Sequence, residues 1–298
     1  MIRVCILSDF HDWHSEQIRK ALKNNGIKVS FFSFSDFLVR IKKNNNYFYL
    51  NQSKAKFDGF WVRFIGAGSL EEITFKLSIL HFLKDTGIYI HNSGETIEKT
   101  VDKFRTTSYL RMNNIKTPDT WITGEKKKFD DICLKLIQKK NIILTKPLFG
   151  SQGKGIEILK QKDDVINFKS LNNVYYFQKF IGKINQDQFS DLRVLVSNHR
   201  VISVIRRTSS NLITNYYQGA SIKKIESTEE INEISKKISK VFKLGYGGID
   251  IKVFGKKLYV LEVNSIPSWK GLQEVEDKNI AQIIVKDFIN NIKKNAKS

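Results

Sequence analysis

The chain has 298 residues, of which 41% are hydrophobic and 12% aromatic, as is typical of a globular protein with one large domain or two to three smaller ones. No apolar run reaches the roughly eighteen residues that span a bilayer, so the sequence predicts no membrane association. The formal net charge of +20 leaves three explanations to be weighed: a nucleic-acid partner, an anionic ligand, or drift of the composition toward lysine.

The first ninety residues alternate between strand-like apolar runs and helix-like segments. Strands are predicted over residues 2–7, 28–34, 57–63 and 88–92, and helices over residues 15–25 and 70–86. Alternating strands and helices predict a parallel open sheet. No Gly-x-Gly-x-x-Gly motif follows the first strand, which disfavours dinucleotide binding there.

The remainder of the chain is richer in strands. A helix is predicted over residues 102–113, strands over 142–148, 156–160, 174–181, 192–198, 201–208, 248–254 and 257–263, and helices over 130–139, 229–242 and 279–294. The fold class predicted for the whole chain is therefore α+β with an α/β N-terminal part. Antiparallel sheets are expected to carry the polar motifs.

Only two cysteines occur, Cys5 and Cys133, and each lies in an apolar stretch. Disulfide bonds are therefore not expected, and the sequence predicts a reducing, cytoplasmic location.

Basic residues are spread along the whole chain, with short clusters at residues 42–43, 126–128 and 293–294. The clusters are typical of solvated helix ends and loops. No basic stripe is interleaved with aromatic residues, so a nucleic-acid partner is not expected. Compositional drift is the leading explanation of the charge, and an anionic ligand is the second.

A glycine-rich loop follows the predicted strand that ends near Lys146. Three glycines fall within residues 150–155, so backbone N–H groups there are free to line a phosphate. The loop is not a Walker loop, because no Gly-Lys-Ser/Thr follows it. A flexible hairpin turn is the alternative, but a lysine in an otherwise apolar strand favours an anionic partner.

Three later strands carry polar residues among apolar ones. Residues 174–181 form an aromatic strand suited to packing against a purine ring. Asp191 and Arg193 share one strand face, and Arg206 and Arg207 end another strand. Arginines in such places suit carboxylate or phosphate recognition, with surface ion pairs as the alternative.

A predicted hairpin over residues 248–264 collects two carboxylates and an amide. Glu262 and Asn264 are two residues apart and share a face, and pairing across the hairpin brings Asp250 beside them. Such an oxygen cluster suits Mg²⁺ held jointly with nucleotide phosphates. Solvated polar residues on an edge hairpin are the alternative.

In chain order these motifs resemble the ATP-grasp superfamily and, within it, the α-L-glutamate ligases related to the ribosomal protein S6 modification enzyme (RimK). Residues 262–272 are similar to that family's Glu-Val-Asn-x-x-Pro-x-x-x-Gly tail, and residues 102–104 with 117–120 are also family-like. The resemblance covers roughly residues 57–285.

The resemblance implies an ATP-grasp fold of three subdomains with ATP between two antiparallel sheets. The implied divisions are an N-terminal α/β domain over residues 1–97, a central subdomain with the glycine-rich loop over 98–180, and a C-terminal subdomain with the metal site over 181–298. It also implies an ATP-dependent, ADP-forming acid–amino-acid ligase that works through an acyl phosphate. The implied cofactors are ATP and Mg²⁺, with Mn²⁺ as a substitute.

The resemblance further implies three groups of site residues. The implied nucleotide-binding residues are Lys103, Lys146, Gly150, Ser151, Gln152, Gly153, Gly155, Gln178, Lys179, Phe180, Ile181 and Asp191. The implied metal ligands are Asp250, Glu262 and Asn264. The residues implied at the transferred phosphate and the carboxylate substrate are Arg193, Arg206 and Asn215.

One departure bears on the acceptor. The S6-modifying enzymes carry an arginine two positions before the asparagine, where this chain has Ile213. Trp269 and residues 68–72 are more similar to relatives that glutamylate tetrahydromethanopterin-type pterins. The expected partners are therefore L-glutamate and a small carboxylate acceptor that resembles methanopterin. The alternatives are a protein tail such as that of S6, or a non-catalytic nucleotide- or RNA-binding protein; a homo-oligomer also stays open.

Overall fold

The structure is a computed structural model that describes residues 1–42, 45–51, 53–54, 56–150, 153–183, 186–212, 214, 216 and 219–297. Its N-terminal part is built on a parallel sheet of four strands in the order β2-β1-β6-β7. The elements of this part are β1 (Arg3–Ser8), α1 (Trp13–Asn24), β2 (Lys28–Phe32), β3 (Phe37–Lys42), β4 (Asn45–Leu50), β5 (Ser53–Lys54), β6 (Gly59–Phe64), α2 (Leu70–Asp85), β7 (Tyr89–His91) and α3 (Gly94–Val101).

Both faces of the parallel sheet are covered, because successive residues of a strand point to opposite sides. On β1, Val4 and Ile6 belong to one buried core, and Cys5 and Leu7 belong to another. The second core includes residues of α2 and α3, and the first includes α1 and the last helix of the chain. The predicted parallel open sheet is confirmed.

The antiparallel sheet formed by β3, β4 and β5 was not predicted from the sequence. Its first strand is mostly exposed, with Ile41 at 77%. A strand that buries little of either face lacks the clear alternation of apolar and polar residues that identifies strands in a sequence.

The central part is an antiparallel sheet in the order β10-β9-β11-β8, with helices packed against it. Its core gathers Phe129 and Cys133 of one helix with Ile143 and Phe177 of two strands. The elements are α4 (Lys103–Met112), β8 (Thr120–Thr123), α5 (Lys126–Gln138), β9 (Ile143–Lys146), β10 (Glu157–Leu159), α6 (Lys162–Asn167) and β11 (Tyr175–Lys179).

The C-terminal part contains a five-stranded antiparallel sheet in the order β14-β13-β12-β15-β16. One face packs on α7 through residues such as Val194, Ile238 and Ile249. The elements are β12 (Phe189–Ser197), β13 (Arg200–Ser209), β14 (Ser221–Lys224), α7 (Glu229–Val241), β15 (Tyr246–Phe254), β16 (Lys257–Asn264), α8 (Lys270–Val275) and α9 (Ile280–Asn295).

The last helix, α9, packs on the N-terminal sheet. Ile284 and Phe288 share a buried core with Val4 and Trp61. The segment from residue 280 onward therefore completes the N-terminal layer, although the sequence-based division placed it in the C-terminal subdomain.

No helix in the part of the chain that the structure describes is long and apolar enough to cross a membrane. Cys5 and Cys133 are both free and buried, and they lie in different cores.

Candidate functional site

A row of charged side chains crosses one face of the five-stranded sheet. In the strand register Arg193 of β12 lies opposite Asp250 of β15, which in turn lies opposite Glu262 of β16. Asn264 lies two residues beyond Glu262 and therefore on the same face. The hairpin geometry predicted for Asp250, Glu262 and Asn264 is thus present.

Arg193 and Asp250 form a buried ion network with Arg207 and Asp191, and every side chain in it is at most 16% exposed. The guanidinium of Arg207 donates to both carboxylate oxygens of Asp191, at 2.7 and 2.6 Å. It also lies 3.0 Å from Asp250 Oδ2, while Arg193 Nε lies 2.7 Å from Asp250 Oδ1. Burial by itself would lower the pKa of Arg207, but the charges of Asp250 and Asp191 outweigh it and raise the pKa.

Arg206 does not join this network. Its side chain is exposed, whereas that of Arg207 is buried, because neighbouring residues of a strand point to opposite faces. In the register Arg206 lies opposite Leu192, and Arg207 lies opposite Asp191. The structure therefore brings Arg207, and not the predicted Arg206, into the charged cluster.

Two lysines approach the carboxylates from the central part of the protein. Lys146, at the end of β9, donates to Gln178 Oε1 at 2.8 Å. The pKa of Lys146 is lowered to about 8, chiefly by burial and also by the charge of Lys103, while the charges of Glu262 and Asp250 oppose this shift. The pKa of Lys103 is lowered as well by burial, against the charge of Glu262. The charge of Glu262 therefore acts on both lysines.

The glycine-rich loop is held by Lys103, whose ammonium donates to the carbonyl of Gly150 at 3.1 Å. Gly153 and Gly155 adopt φ values of +71° and +72°, in the left-handed region that favours glycine. A Cβ added at Gly155 would come within 2.8 Å of Pro147 Cγ, so the loop requires glycine there for space as well. Ser151 and Gln152, and likewise Asn215, lie outside the described residues.

The predicted purine-binding strand is largely engaged by the protein itself. Gln178 is 2% exposed, and its Nε2 donates to Thr120 Oγ1 and to the hydroxyl oxygen of Tyr176. The backbone N–H groups of Lys179 and Phe180 donate to carbonyls of residues 119 and 142. Those two N–H groups are therefore not available to a purine, and recognition in segment 178–181 would need its other groups.

The hairpin can supply oxygen ligands to a metal ion, but not a complete set. Asp250 Oδ1 is buried without an aligned hydrogen-bond donor, and half-buried Glu262 has no ion pair among the described residues. Asn264 Oδ1 accepts a hydrogen bond from the Ile266 N–H at 2.9 Å. Across the described ranges no group of three or more His, Cys, Asp or Glu side chains could hold a metal ion. A metal here would need further oxygens from a ligand.

The charges of the cluster favour a polyanion. Four cationic side chains face three carboxylates, which leaves a formal charge of +1 before any ligand binds. The cations are Lys103, Lys146, Arg193 and Arg207, and the carboxylates are Asp191, Asp250 and Glu262. A bare divalent cation is repelled by a positive site, whereas a polyphosphate with bound metal is attracted.

Asn92, which the sequence interpretation missed, ties the N-terminal part to the hairpin strands. Its side-chain amide donates to the carbonyls of Tyr246 and Ser265, at 2.7 and 2.6 Å, and its Oδ1 accepts from the Gly245 N–H at 2.6 Å. Gly245 and Tyr246 lie where β15 begins and Ser265 where β16 ends, so Asn92 fixes both strands. No local sequence signal marks contacts about 150 residues apart.

A groove of about 780 Å³ lies away from this cluster, between α7 and the turn that joins β15 to β16. Six lysines line it, which places part of the net positive charge on the sheet face opposite the site. They are Lys116, Lys236, Lys237, Lys240, Lys256 and Lys257.

Residues 100–289 match the protein family described as the RimK-like ATP-grasp domain. Over 295 residues the chain is 31% identical to the tetrahydromethanopterin:α-L-glutamate ligase of Methanococcus maripaludis, an alignment that covers 97% of this chain and 98% of that protein. It is 33% identical to the coenzyme γ-F420-2:α-L-glutamate ligase of the same organism, over 73% of this chain and 78% of that one.

Among solved structures, the ATP-grasp ligase PsnB in complex with a precursor variant, Mg and ADP superposes with a TM-score of 0.76. The superposition covers 97% of this chain and 98% of that one at 17% identity. This similarity shows the fold, and it confirms the predicted ATP-grasp architecture.

Proposed function

The chain belongs to the RimK-like ATP-grasp family and is an ATP-dependent ligase, and we propose on that basis that it joins L-glutamate to a small anionic acceptor with release of ADP and phosphate. The observation that carries the proposed chemistry is the position of Glu262. This carboxylate lies beside Asp250 on the C-terminal sheet, and its charge acts on Lys103 of α4 and Lys146 of the central sheet. Carboxylates on one side and ammonium groups on the other suit a metal-bound polyphosphate between them.

In the proposed reaction a carboxylate oxygen of the acceptor attacks the γ-phosphorus of ATP, and the bond to ADP breaks. The amine of glutamate then attacks the acyl carbon, phosphate leaves with the bonding electrons, and the amine loses a proton. Lys103 and Lys146 bind the phosphates, and Arg193 holds the transferred group. Arg207 positions Asp250 through its buried ion pair.

The oxygen donors of Asp250, Glu262 and Asn264 fit Mg²⁺, for which Mn²⁺ is a proposed substitute. When bound, the metal neutralises charge on the phosphates as phosphoryl transfer proceeds. Because the cluster is positively charged before ligands bind, we expect the metal to enter together with the nucleotide.

The lowered pKa of Lys146 predicts that ATP binding takes up a proton between about pH 8 and 9. With a pKa of about 8 the free side chain is largely neutral at pH 9, and a polyphosphate favours its charged form. Calorimetry at pH 9 in buffers of different ionisation enthalpy should therefore show buffer-dependent heats. In Lys146→Arg the dependence should shrink, because guanidinium stays charged; equal heats in all buffers with the wild-type protein would contradict this prediction.

The proposed acceptor is a small molecule of the methanopterin type. The support is the end-to-end similarity to a ligase named for tetrahydromethanopterin, together with a second relative named for coenzyme γ-F420-2. The positive charge of the cluster is consistent with an anionic acceptor.

The function is tested with purified protein, ATP, Mg²⁺ and L-glutamate added separately to the small-molecule and protein fractions of an extract from its own cells. We expect ADP and phosphate as products, and one or more glutamyl units on a small molecule detected by mass spectrometry. Release of AMP and pyrophosphate would contradict the acyl-phosphate route. Glutamylation of a ribosomal protein alone would contradict the proposed acceptor.

A further inference from the structure

The N-terminal parallel sheet reverses its strand order at a place that the proposed chemistry does not use. In the order β2-β1-β6-β7, the chain leaves β1 toward β2 on one side and later returns to β6 on the other side. In open parallel sheets, ligands bind beyond the carboxyl ends of the strands at such a reversal of strand order. Here the reversal lies between β1 and β6.

A buried polar cluster occupies this place. Arg63, on β6, is 4% exposed and donates to Asp12 Oδ2 at 2.7 Å. His14 Nε2 accepts from the Trp269 N–H at 3.0 Å, so the ring proton lies on Nδ1, which donates to Asp12 Oδ2 at 3.1 Å. Burial lowers the pKa of His14, Asp12 raises it and Arg63 lowers it, and the net shift keeps the ring neutral.

Two donors in the cluster have no partner. Arg63 Nε and Trp269 Nε1 are buried and make no hydrogen bond among the described residues. They belong to side chains in contact, since Arg63 Cζ lies 5.9 Å from the centre of the Trp269 ring. A buried N–H without an acceptor costs free energy, so this pair favours an oxygen ligand, and the charge of Arg63 favours an anionic one.

This buried polar cluster adjoins the charged cluster of the C-terminal sheet. Trp269 follows Asn264 by five residues, and Pro267 lies between them. A Cβ added at Gly248 would come within 2.4 Å of an amino nitrogen of Arg193 and 3.1 Å of Pro267 Cβ. Arg193 and Pro267 therefore both lie against Gly248. Segment 264–270 therefore runs from the proposed metal ligands to the two unpaired donors.

We propose that the buried polar cluster at the carboxyl ends of β1 and β6, covered by segment 264–270, receives a carboxylate of the incoming L-glutamate. This inference rests on the proposed function. In it, the unpaired N–H groups of Arg63 and Trp269 bind the carboxylate. Because both donors are buried, the ligand enters when segment 264–270 shifts. The acceptor also carries a carboxylate, and the experiment distinguishes binding of the acceptor from binding of L-glutamate.

The test is Trp269→Phe, which removes the unpaired N–H and keeps an aromatic ring in the core. We expect the Michaelis constant for L-glutamate to rise about tenfold, since a hydrogen bond to a charged group is worth roughly 1.5 kcal/mol or more. The Michaelis constants for ATP and for the acceptor should stay within about twofold of the wild-type values. Calorimetric titration of the ATP-loaded protein with L-glutamate should show the same loss of affinity.

Trp61→Phe is the matched control, because Trp61 is equally buried and its Nε1 donates to the hydroxyl oxygen of Tyr246 at 3.3 Å. This variant should be destabilised yet keep its affinity for L-glutamate. The proposed glutamate site is overturned if Trp269→Phe leaves the Michaelis constant for L-glutamate unchanged. It is also overturned if only the Michaelis constant for the acceptor rises. If the wild-type protein makes no glutamylated product, the proposed function fails, and the calorimetric comparison still decides whether the buried polar cluster binds glutamate.

Discussion

Replacing Arg207 by methionine is expected to lower the free energy of unfolding by about 3–5 kcal/mol, because it leaves two buried carboxylates without their shared cation. Asp191 and Asp250 are each about 9% exposed, and Arg207 bonds both oxygens of Asp191 while it contacts Asp250. Methionine fills similar space without charge. Denaturant unfolding monitored by circular dichroism measures the loss, and ligase turnover should fall with it.

The neighbouring residue supplies the control. Arg206 is exposed on the opposite strand face, so Arg206→Met should change the free energy of unfolding by less than about 0.5 kcal/mol. Equal destabilisation by the two substitutions would contradict the ion network described above. A stable Arg207→Met variant that also retains full turnover would show that Asp191 and Asp250 do not need this guanidinium.

The pair Arg206 and Arg207 also shows what the sequence could and could not predict. The apolar run predicted the strand that ends at the two arginines. The sheet face on which each arginine side chain lies, however, depends on the register of the strand. Register is fixed by pairing with β12, where Asp191 lies opposite Arg207. A shift of one residue would exchange the two roles, and nothing within residues 200–209 sets it.

The hairpin was easier to predict, because its pairing is local. The turn over residues 254–257 joins neighbouring strands, so the sequence could predict that Asp250 and Glu262 lie near each other. The turn alone would pair Asp250 with Leu261, and a register shift between Asp250 and Ile251 is what places Asp250 opposite Glu262. In contrast, Asn92 and the return of α9 depend on contacts across more than 150 residues. Such contacts depend on the assembled fold, and a local pattern does not encode them.

Substitution Glu262→Gln is expected to reduce turnover by about a hundredfold or more without unfolding the protein. Glutamine has nearly the same shape but removes one negative charge from a site that must hold a metal ion and a polyphosphate. Glu262 is half-buried and has no ion pair among the described residues, so its replacement leaves no buried charge unpaired. Steady-state ADP release at saturating ATP and glutamate measures the loss.

Glu233→Gln is the control for Glu262→Gln, since Glu233 is 68% exposed on α7, on the opposite side of the sheet. It should leave turnover unchanged, and the free energy of unfolding of both variants should lie within about 1 kcal/mol of that of the wild-type protein.

Raising the Mg²⁺ concentration should restore part of the activity of Glu262→Gln, because a weakened metal site is filled at higher concentration. Turnover near that of the wild type at ordinary Mg²⁺ would remove Glu262 from the metal site. The ligands would then have to be Asp250, Asn264 and the phosphates, without the carboxylate of Glu262, whose charge acts on both lysines.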